Sequence, residues 1–505
     1  MGGTSEEIGR YDVIVIGGGI NGTSAARALS SSGYDVLLAE KGDFASGASG
    51  RSSRILHCGL RYFETARPVR TFLGAPSRLK NAVAMAKAAM VAREELVRLR
   101  PGRCKPFTMC FPLYRNDALR GWHLDAAFAL LKRLGPAQPP LDYRRVTGDF
   151  ERGVPIAKDL RDREGLASIA TYREYIIDLP DRLCVDAALE AERRGADIRL
   201  FTAAWVRGRD PQGLWLVDLE PRAGASGTVR APVVLNLAGT WMDGVVRPEA
   251  GQGMPRLIHG TKGSHLLVRL PDAYRGFGIA ALNRLGLPIY CLPFRDDLYH
   301  IGPTETPFEG DASAVSADDA DIDFLLGEIN FLLPGLALTR QQVEFTWAGV
   351  RPLTYNPGNP DGDRVRQIHD LSASGYPGIL AMTAGPVMSH LSAGRELLAA
   401  VDSRFAARGG RAGRSSRVAL SPADTDAGLS AARHSVRYEH ARDLRGILYT
   451  RTGMAWGVRL DRDAVAAVAH DVSDLLGWDD GRLEQEVDLF MAYQDKIHRP
   501  GKAMH

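Results

Sequence analysis

Three glycines and a carboxylate near the start of the chain have the types and spacing of a phosphate-binding turn. Gly17-Gly18-Gly19-Ile20-Asn21-Gly22 satisfies G-x-G-x-x-G, and Glu40 closes the next apolar segment. In such a turn Gly17 permits the tight bend, Gly19 lets the backbone approach a pyrophosphate, and Gly22 lets helix and strand pack closely. The helix that starts there aims N–H groups at the phosphates. Glu40 sits where a carboxylate accepts hydrogen bonds from an adenosine ribose. A second group follows, with His57, Arg61 and Tyr62 in one short stretch. An imidazole titrates at about pH 6.5 and suits proton transfer. A guanidinium grips phosphate or carboxylate through paired bonds. Taken alone, this second stretch reads equally as a helix start carrying a solvated arginine.

These residues need elements to hold them. Residues 11–16, Tyr-Asp-Val-Ile-Val-Ile, are a β-branched run expected of a buried parallel strand. Residues 23–29 are helix formers, and residues 34–39 are a second apolar strand ending in Glu40. Strand, fingerprint, helix, strand and acid follow in order within about 30 residues, the context the motif requires. A dinucleotide site follows from that order. The fingerprint by itself does not separate FAD from NAD.

The 505 residues allow about three domains. With 63 basic and 60 acidic side chains, the net charge of +3 excludes the broad cationic field of a nucleic-acid binder. Cys58, Cys104, Cys110, Cys184 and Cys291 form no CxxC or zinc spacing. Neither a disulfide framework nor a metal site is expected, and a reducing cytosol is the expected compartment. No apolar run reaches the roughly 20 residues needed to span a bilayer. Residues 1–10 lack the apolar core of a secretory signal and are expected as a short disordered tail. These features leave room for peripheral contact with the inner face of a membrane.

Residues 41–64, KGDFASGASGRSSRILHCGLRYFE, are more specific. A serine-rich loop runs into His57-Cys58-Gly59-Leu60-Arg61-Tyr62. With the glycine-rich start, it resembles the FAD-dependent glycerol-3-phosphate dehydrogenase family of the D-amino-acid-oxidase-like flavoproteins. VLNLAGTW at residues 234–241 resembles the family's V-N-A-A-G-x-W turn, and Lys262-Gly263-Ser264-His265 its K-G-S-H block. GPTETPFEGD at residues 302–311 and WAGVRPL at residues 347–353 resemble two further blocks, and RYEH at residues 437–440 a third. The resemblance covers nearly the whole chain.

It implies an α/β fold within residues 11–405. A discontinuous, Rossmann-like FAD-binding domain would draw on about residues 11–65, 180–265 and 345–400. A substrate domain with an antiparallel sheet, from the intervening segments, would roof the flavin. The sequence agrees, with a helix predicted over 181–194 and strands over 197–201, 232–237 and 379–382. Sheet strands are predicted over 257–268, 290–293 and 299–301. Residues 406–418, AARGGRAGRSSRV, read as an exposed linker. Residues 419–505 would form a C-terminal helical domain for packing or homodimer formation, with helices predicted over 431–449, 461–476 and 480–496. Residues 64–80 look longer than the family's usual connection.

The implied reaction is oxidation of a secondary alcohol by hydride transfer to flavin N5, with quinone or oxygen as final acceptor. The resemblance implies FAD contacts from Gly17, Gly19, Ile20, Asn21, Gly22, Glu40, Lys41, Ser49, Ser52, His57, Val206, Ala238, Gly239, Gly385 and Val387. It places Arg61, Tyr62, Arg351 and Arg366 on the substrate, with His57 and Arg351 in the catalytic role. His57 is the candidate acid/base, its alternative being simple packing against the flavin. One departure stands out. Ala384-Gly385-Pro386-Val387 occupies the place of a turn whose lysine binds the substrate phosphate. Pro386 has neither charge nor N–H donor, so one cationic contact is missing. Three donors remain open: glycerol 3-phosphate held by arginines alone, a related polyol phosphate, or another small anionic alcohol or amino acid. A non-catalytic FAD-binding protein is the alternative of another class. The convergence of His57, Arg61, Tyr62 and Arg351 argues against it, because a structural flavin needs no anion ligands.

Overall fold

The computed structural model describes residues 6–63, 76–247, 254–406 and 430–498. The apolar run Val13–Ile16 is a strand buried along its whole length. Such a strand needs cover on both faces, which explains why its residues do not alternate. It lies inside a six-stranded sheet ordered Gln367–Asp370, Ile379–Thr383, Val233–Asn236, Val13–Ile16, Val36–Ala39 and Asp197–Arg199. All pairs are parallel except the one made by the edge strand Gln367–Asp370. Helices Ile20–Ser31, Pro180–Glu192 and His390–Ala406 cover one face through Ala25, Leu29, Val185 and Leu397. Gly394 makes the close approach possible, since a Cβ there would stand 2.6 Å from the Ser24 carbonyl oxygen.

The other face packs on a four-stranded sheet ordered Glu6–Arg10, Gly227–Ala231, Trp215–Pro221 and Thr202–Arg209. Its first strand corrects the expected tail. Residues 6–10 pair in parallel with Gly227–Ala231, a partner too far along the chain to leave a local signal. Residues 1–5 lie outside the described residues.

A ten-stranded, largely antiparallel sheet forms the second body of the molecule. Strand Ile258–Arg269 pairs along most of its length with Val343–Thr354, and on its other side with Leu298–Gly302. Residues 258–265 lie in this sheet, as the strand predicted over 257–268 requires, at the overlap with the approximate FAD-binding segment. Residues 345–354 belong to it and not to the FAD-binding segment in which they were expected. A long apolar run does not itself reveal which sheet it joins.

The C-terminal helices Ala431–Tyr438, Arg462–Leu476 and Asp480–Ile497 are capped by Ser430, Asp461 and Asp479. Each cap accepts a backbone N–H of the first turn. The single helix predicted over 431–449 is broken, with His440 at φ +60° and a π-helical turn over Gly446–Arg451. Leu448, Trp456 and Phe490 of this unit share a core with Leu267, Phe345 and Trp347 of the large sheet. Residues 407–418 of the expected linker and 64–75 of the long connection lie outside the described residues. Among the described residues, no helix is long and apolar enough to cross a membrane. No cluster of His, Cys, Asp or Glu among them could hold a metal ion.

Candidate active site

Helix Ile20–Ser31 starts at Gly19 with no side-chain cap and no acidic residue in its first turn. Its positive end thus faces any incoming phosphate. Gly17 has φ +114°, and a Cβ there would lie 2.5 Å from the Leu237 carbonyl oxygen. A Cβ on Gly22 would collide with the Gly17 carbonyl. The Ile20 N–H donates to Ser49 Oγ at 2.9 Å, tying the serine-rich loop to the helix start beside Asn21.

Glu40 is buried at the end of the second strand. The Gly18 N–H donates to its Oε2 at 2.6 Å and the Gly42 N–H to its Oε1 at 2.8 Å. Each oxygen keeps lone-pair capacity for a ribose hydroxyl. Burial pushes this carboxyl up, and the two N–H donors pull it back. The Lys41 ammonium lies 3.7 Å from the Trp241 ring centroid.

Gly239 has φ +59° and open space where a Cβ would sit, just after Ala238. Gly385 has φ +87° and precedes the short turn Val387–Ser389. Ser52 Oγ accepts the Arg54 N–H at 3.3 Å. Val206 differs from expectation: its N–H donates to the Val245 carbonyl at 2.9 Å and its carbonyl accepts the Arg247 N–H at 3.0 Å. A bridge to residues 245–247 thus occupies the backbone groups of this expected FAD contact. Glycine cradle, uncapped helix end and buried acid together fit an FAD or NAD dinucleotide.

The side on which the substrate is expected is built on the paired strands of the large sheet. Thr261 stands opposite Arg351, and Gly263 opposite Gly349. Arg351 is half-buried; its NH2 donates to the Thr304 carbonyl at 3.3 Å, and its NH1 is buried with no protein partner. Burial and the Arg61 charge pull its pKa to about 10. The Ala384 N–H donates to the Pro352 carbonyl at 2.9 Å, so the Gly385 turn lies beside Arg351.

His57 is 5% exposed and its Nδ1 has no partner. Tyr62 meets its ring edge-to-face at 5.5 Å. Burial, then Arg61 and Arg93, hold the imidazole well below its ordinary pKa. The turn Leu60–Tyr62 begins at Gly59, with φ +94°; a Cβ there would lie 2.8 Å from Ala86 Cα. Arg61 acts electrostatically on His57, Tyr62, Arg351 and Arg364. The structure therefore gathers His57, Arg61, Tyr62 and Arg351 in one place.

Arg366 is the second correction. Its Nε donates to Glu396 Oε2 at 2.9 Å, and its NH1 to Ser389 Oγ at 2.7 Å and the Ser389 carbonyl at 3.2 Å. Its NH2 donates to Ser392 Oγ at 2.8 Å and to Glu396. A guanidinium has five N–H donors, so Arg366 has none left for a substrate. It braces the turn after Gly385 instead. Sequence reasoning missed Arg364, an exposed side chain at the site's edge that pairs with Glu305 and whose pKa is lowered by desolvation and by Arg61. Nothing local distinguishes the two arginines. Another omission is His265, stacked on Trp347 at 4.7 Å with its Nε2 3.3 Å from Ser53 Oγ; the K-G-S-H block was the available signal.

A family model described as FAD dependent oxidoreductase (DAO) matches residues 12–395. The chain belongs to this family. FAD is thus the cofactor of this oxidoreductase, and the cradle around Gly17, Gly22 and Glu40 fits it. The oxidoreductase is 30% identical over 407 residues to a glycerol-3-phosphate dehydrogenase of Synechocystis sp., covering 77% of this chain and 69% of that relative. It is also 30% identical to a D-erythritol 1-phosphate dehydrogenase of Brucella abortus, over 74% of this chain and 70% of that one. In fold it is similar to the glycerol-3-phosphate dehydrogenase from Bacillus halodurans complexed with FAD. That likeness has a TM-score of 0.69 at 19% identity and covers 97% and 95% of the two chains.

Proposed function

We propose that this oxidoreductase oxidises the secondary alcohol of glycerol 3-phosphate or a related polyol phosphate to the ketone. The observation that carries the reading is the buried, unpartnered NH1 of Arg351 within a group of mutually repelling arginines. A guanidinium withdrawn from water wants a counter-ion, and a phosphate offers oxygens to more than one arginine at once. The dehydrogenases of glycerol 3-phosphate and D-erythritol 1-phosphate among its relatives support the same substrate class.

FAD, when bound, supplies the acceptor for the electron pair of the carbinol C–H bond. Arg61, Arg351 and Arg364 hold the phosphate, with no contribution from Pro386. Tyr62 adds a hydrogen bond and orients the His57 ring. The His57 imidazole, neutral in the free protein, takes the hydroxyl proton. An anion among the arginines offsets the charge that depresses His57, so substrate binding itself raises the basicity of the group that must act.

The test is anaerobic mixing of the FAD-loaded protein with glycerol 3-phosphate, erythritol phosphates and amino acids in turn. Bleaching of the flavin band by a polyol phosphate alone is expected. Bleaching by amino acids alone, or by nothing, overturns the reading. The reading also takes quinone or oxygen as the final acceptor, at the cytosolic side of a membrane or free in the cytosol. Reoxidation by air or by a soluble quinone separates the two acceptors.

A further inference from the structure

Arg451 ends the π-helical turn Gly446–Arg451 of the C-terminal helices, and its side chain is entirely shut off from solvent. Its guanidinium reaches across to the loop after Glu40. NH2 donates to Asp43 Oδ1 at 2.8 Å, and NH1 pairs with Asp43 Oδ2. Two further donors are used within the C-terminal unit: Nε donates to the Glu439 carbonyl at 2.9 Å, and NH1 also to the Gly446 carbonyl at 3.2 Å. Gly446 leaves the room, because a Cβ there would collide with Asp43 Oδ2. Glu439 is itself held by Arg182, on the helix Pro180–Glu192 that packs against the fingerprint helix.

What lies beyond Asp43 gives the pair its consequence. Asp43 Oδ1 also accepts the Phe44 N–H at 2.7 Å, and the Ala45 N–H donates to the Gly18 carbonyl at 3.2 Å. The chain of contacts thus runs from Arg451 through Asp43 to Gly18, in the middle of the pyrophosphate turn. Ala45 has φ +58°, an uncommon conformation for a side-chain-bearing residue, which surrounding contacts must enforce. A second bond from the same unit meets the loop, Arg51 NH2 to Tyr493 Oη at 3.4 Å. Arg54 lies 4.3 Å from the Trp456 ring centroid.

We propose that the C-terminal helices hold the FAD-binding loop in its loaded shape through the buried Arg451–Asp43 pair, which makes Arg451 a positioning residue for the cofactor. A buried bidentate ion pair is unforgiving, since removing one partner leaves the other charge buried without compensation. The unit is then more than a packing appendage. Its docking contributes directly to how long FAD stays bound.

Asp43→Asn keeps the shape of the side chain and its oxygen for the Phe44 N–H, so it removes the charge alone. Release of FAD from the holoenzyme after dilution, followed by flavin fluorescence, is expected to quicken by about tenfold or more. The rise in melting temperature caused by added FAD is expected to shrink as well. A role in general packing would lower both the FAD-free and FAD-loaded midpoints and leave that rise unchanged. Arg433→Ala, which breaks the exposed Arg433–Asp474 pair of the same unit, is expected to release FAD at the wild-type rate. Arg451→Gln should match Asp43→Asn, and the double variant should add little to either. If the holoenzyme with Asp43→Asn releases FAD at the wild-type rate, the proposal is overturned. Wild-type protein purified without any flavin would instead undermine FAD binding itself.

Discussion

The guanidinium of Arg351 lies over Gly263 of the neighbouring strand, where even a methyl group would collide with its NH2. The two residues come from separate motifs and meet only because Ile258–Arg269 and Val343–Thr354 pair in one register. Gly263 would thereby shape the proposed anion site without touching the anion. Arg351→Ala is expected to lower kcat/KM by about 10²–10³-fold, as for loss of a charge-assisted pair, while FAD stays bound. Gly263→Ala should reproduce much of that loss by displacing the guanidinium. Steady-state kinetics alongside the flavin spectrum of each variant measures both.

His57→Gln is expected to slow flavin reduction by about 10²–10⁴-fold, the range for a lost general base. Because burial and Arg61 depress the imidazole, it stays neutral as pH falls past the ordinary histidine value. The acid limb of kcat/KM should therefore lie below pH about 6.5. Arg61→Gln removes part of the repulsion and should move that limb upward. Single-turnover rates across a pH series read the shift.

Five buried histidines make a separate statement about stability. His300 and His498 are pulled down to about 3, His390 to about 4, and His57 and His265 well below their ordinary value, each chiefly by burial. As pH falls below about 6.5 the unfolded chain takes up these protons first. Their contribution is intact above that pH and is lost toward each folded-state value, at about 1.4 kcal/mol per pH unit for each histidine. Melting temperature should drop steeply between pH 7 and pH 5. His498→Phe, which keeps a ring against Phe345, should flatten the slope.

Arg364→Ala and Arg366→Ala separate two neighbours that the sequence presents alike. The first is expected to raise KM for a polyol phosphate by about tenfold to 100-fold and to leave the flavin spectrum unchanged. The second removes the brace on Ser389, Ser392 and Glu396. It should alter the flavin spectrum and lower the melting temperature before it affects substrate affinity. A common KM effect with unchanged spectra would return Arg366 to the substrate.

Gly17, Gly22 and Glu40 were legible because their reasons are local. The tight turn between strand and helix sets Gly17 at a positive φ and brings its carbonyl onto Gly22, both within one strand–helix–strand unit, although the Leu237 carbonyl also closes on Gly17 from outside it. Motif blocks elsewhere in the chain marked His57, Arg61, Tyr62 and Arg351 as a set, which the folded chain brings together. What escaped was decided by partners remote in sequence. Arg366 is taken by Glu396, 30 residues later, and Val206 by residues 245–247. Strand Glu6–Arg10 exists because Gly227–Ala231 offers an edge. The same holds for Asp43 and Arg451, 408 residues apart. Sequence alone therefore determined the dinucleotide turn and the residue types at the active site, because steric demands on a backbone are written where they act. Only the tertiary structure decided which arginine keeps a donor without a protein partner and which charge lies against the Asp43 loop, because a buried charge is satisfied by whichever partner folding delivers to it.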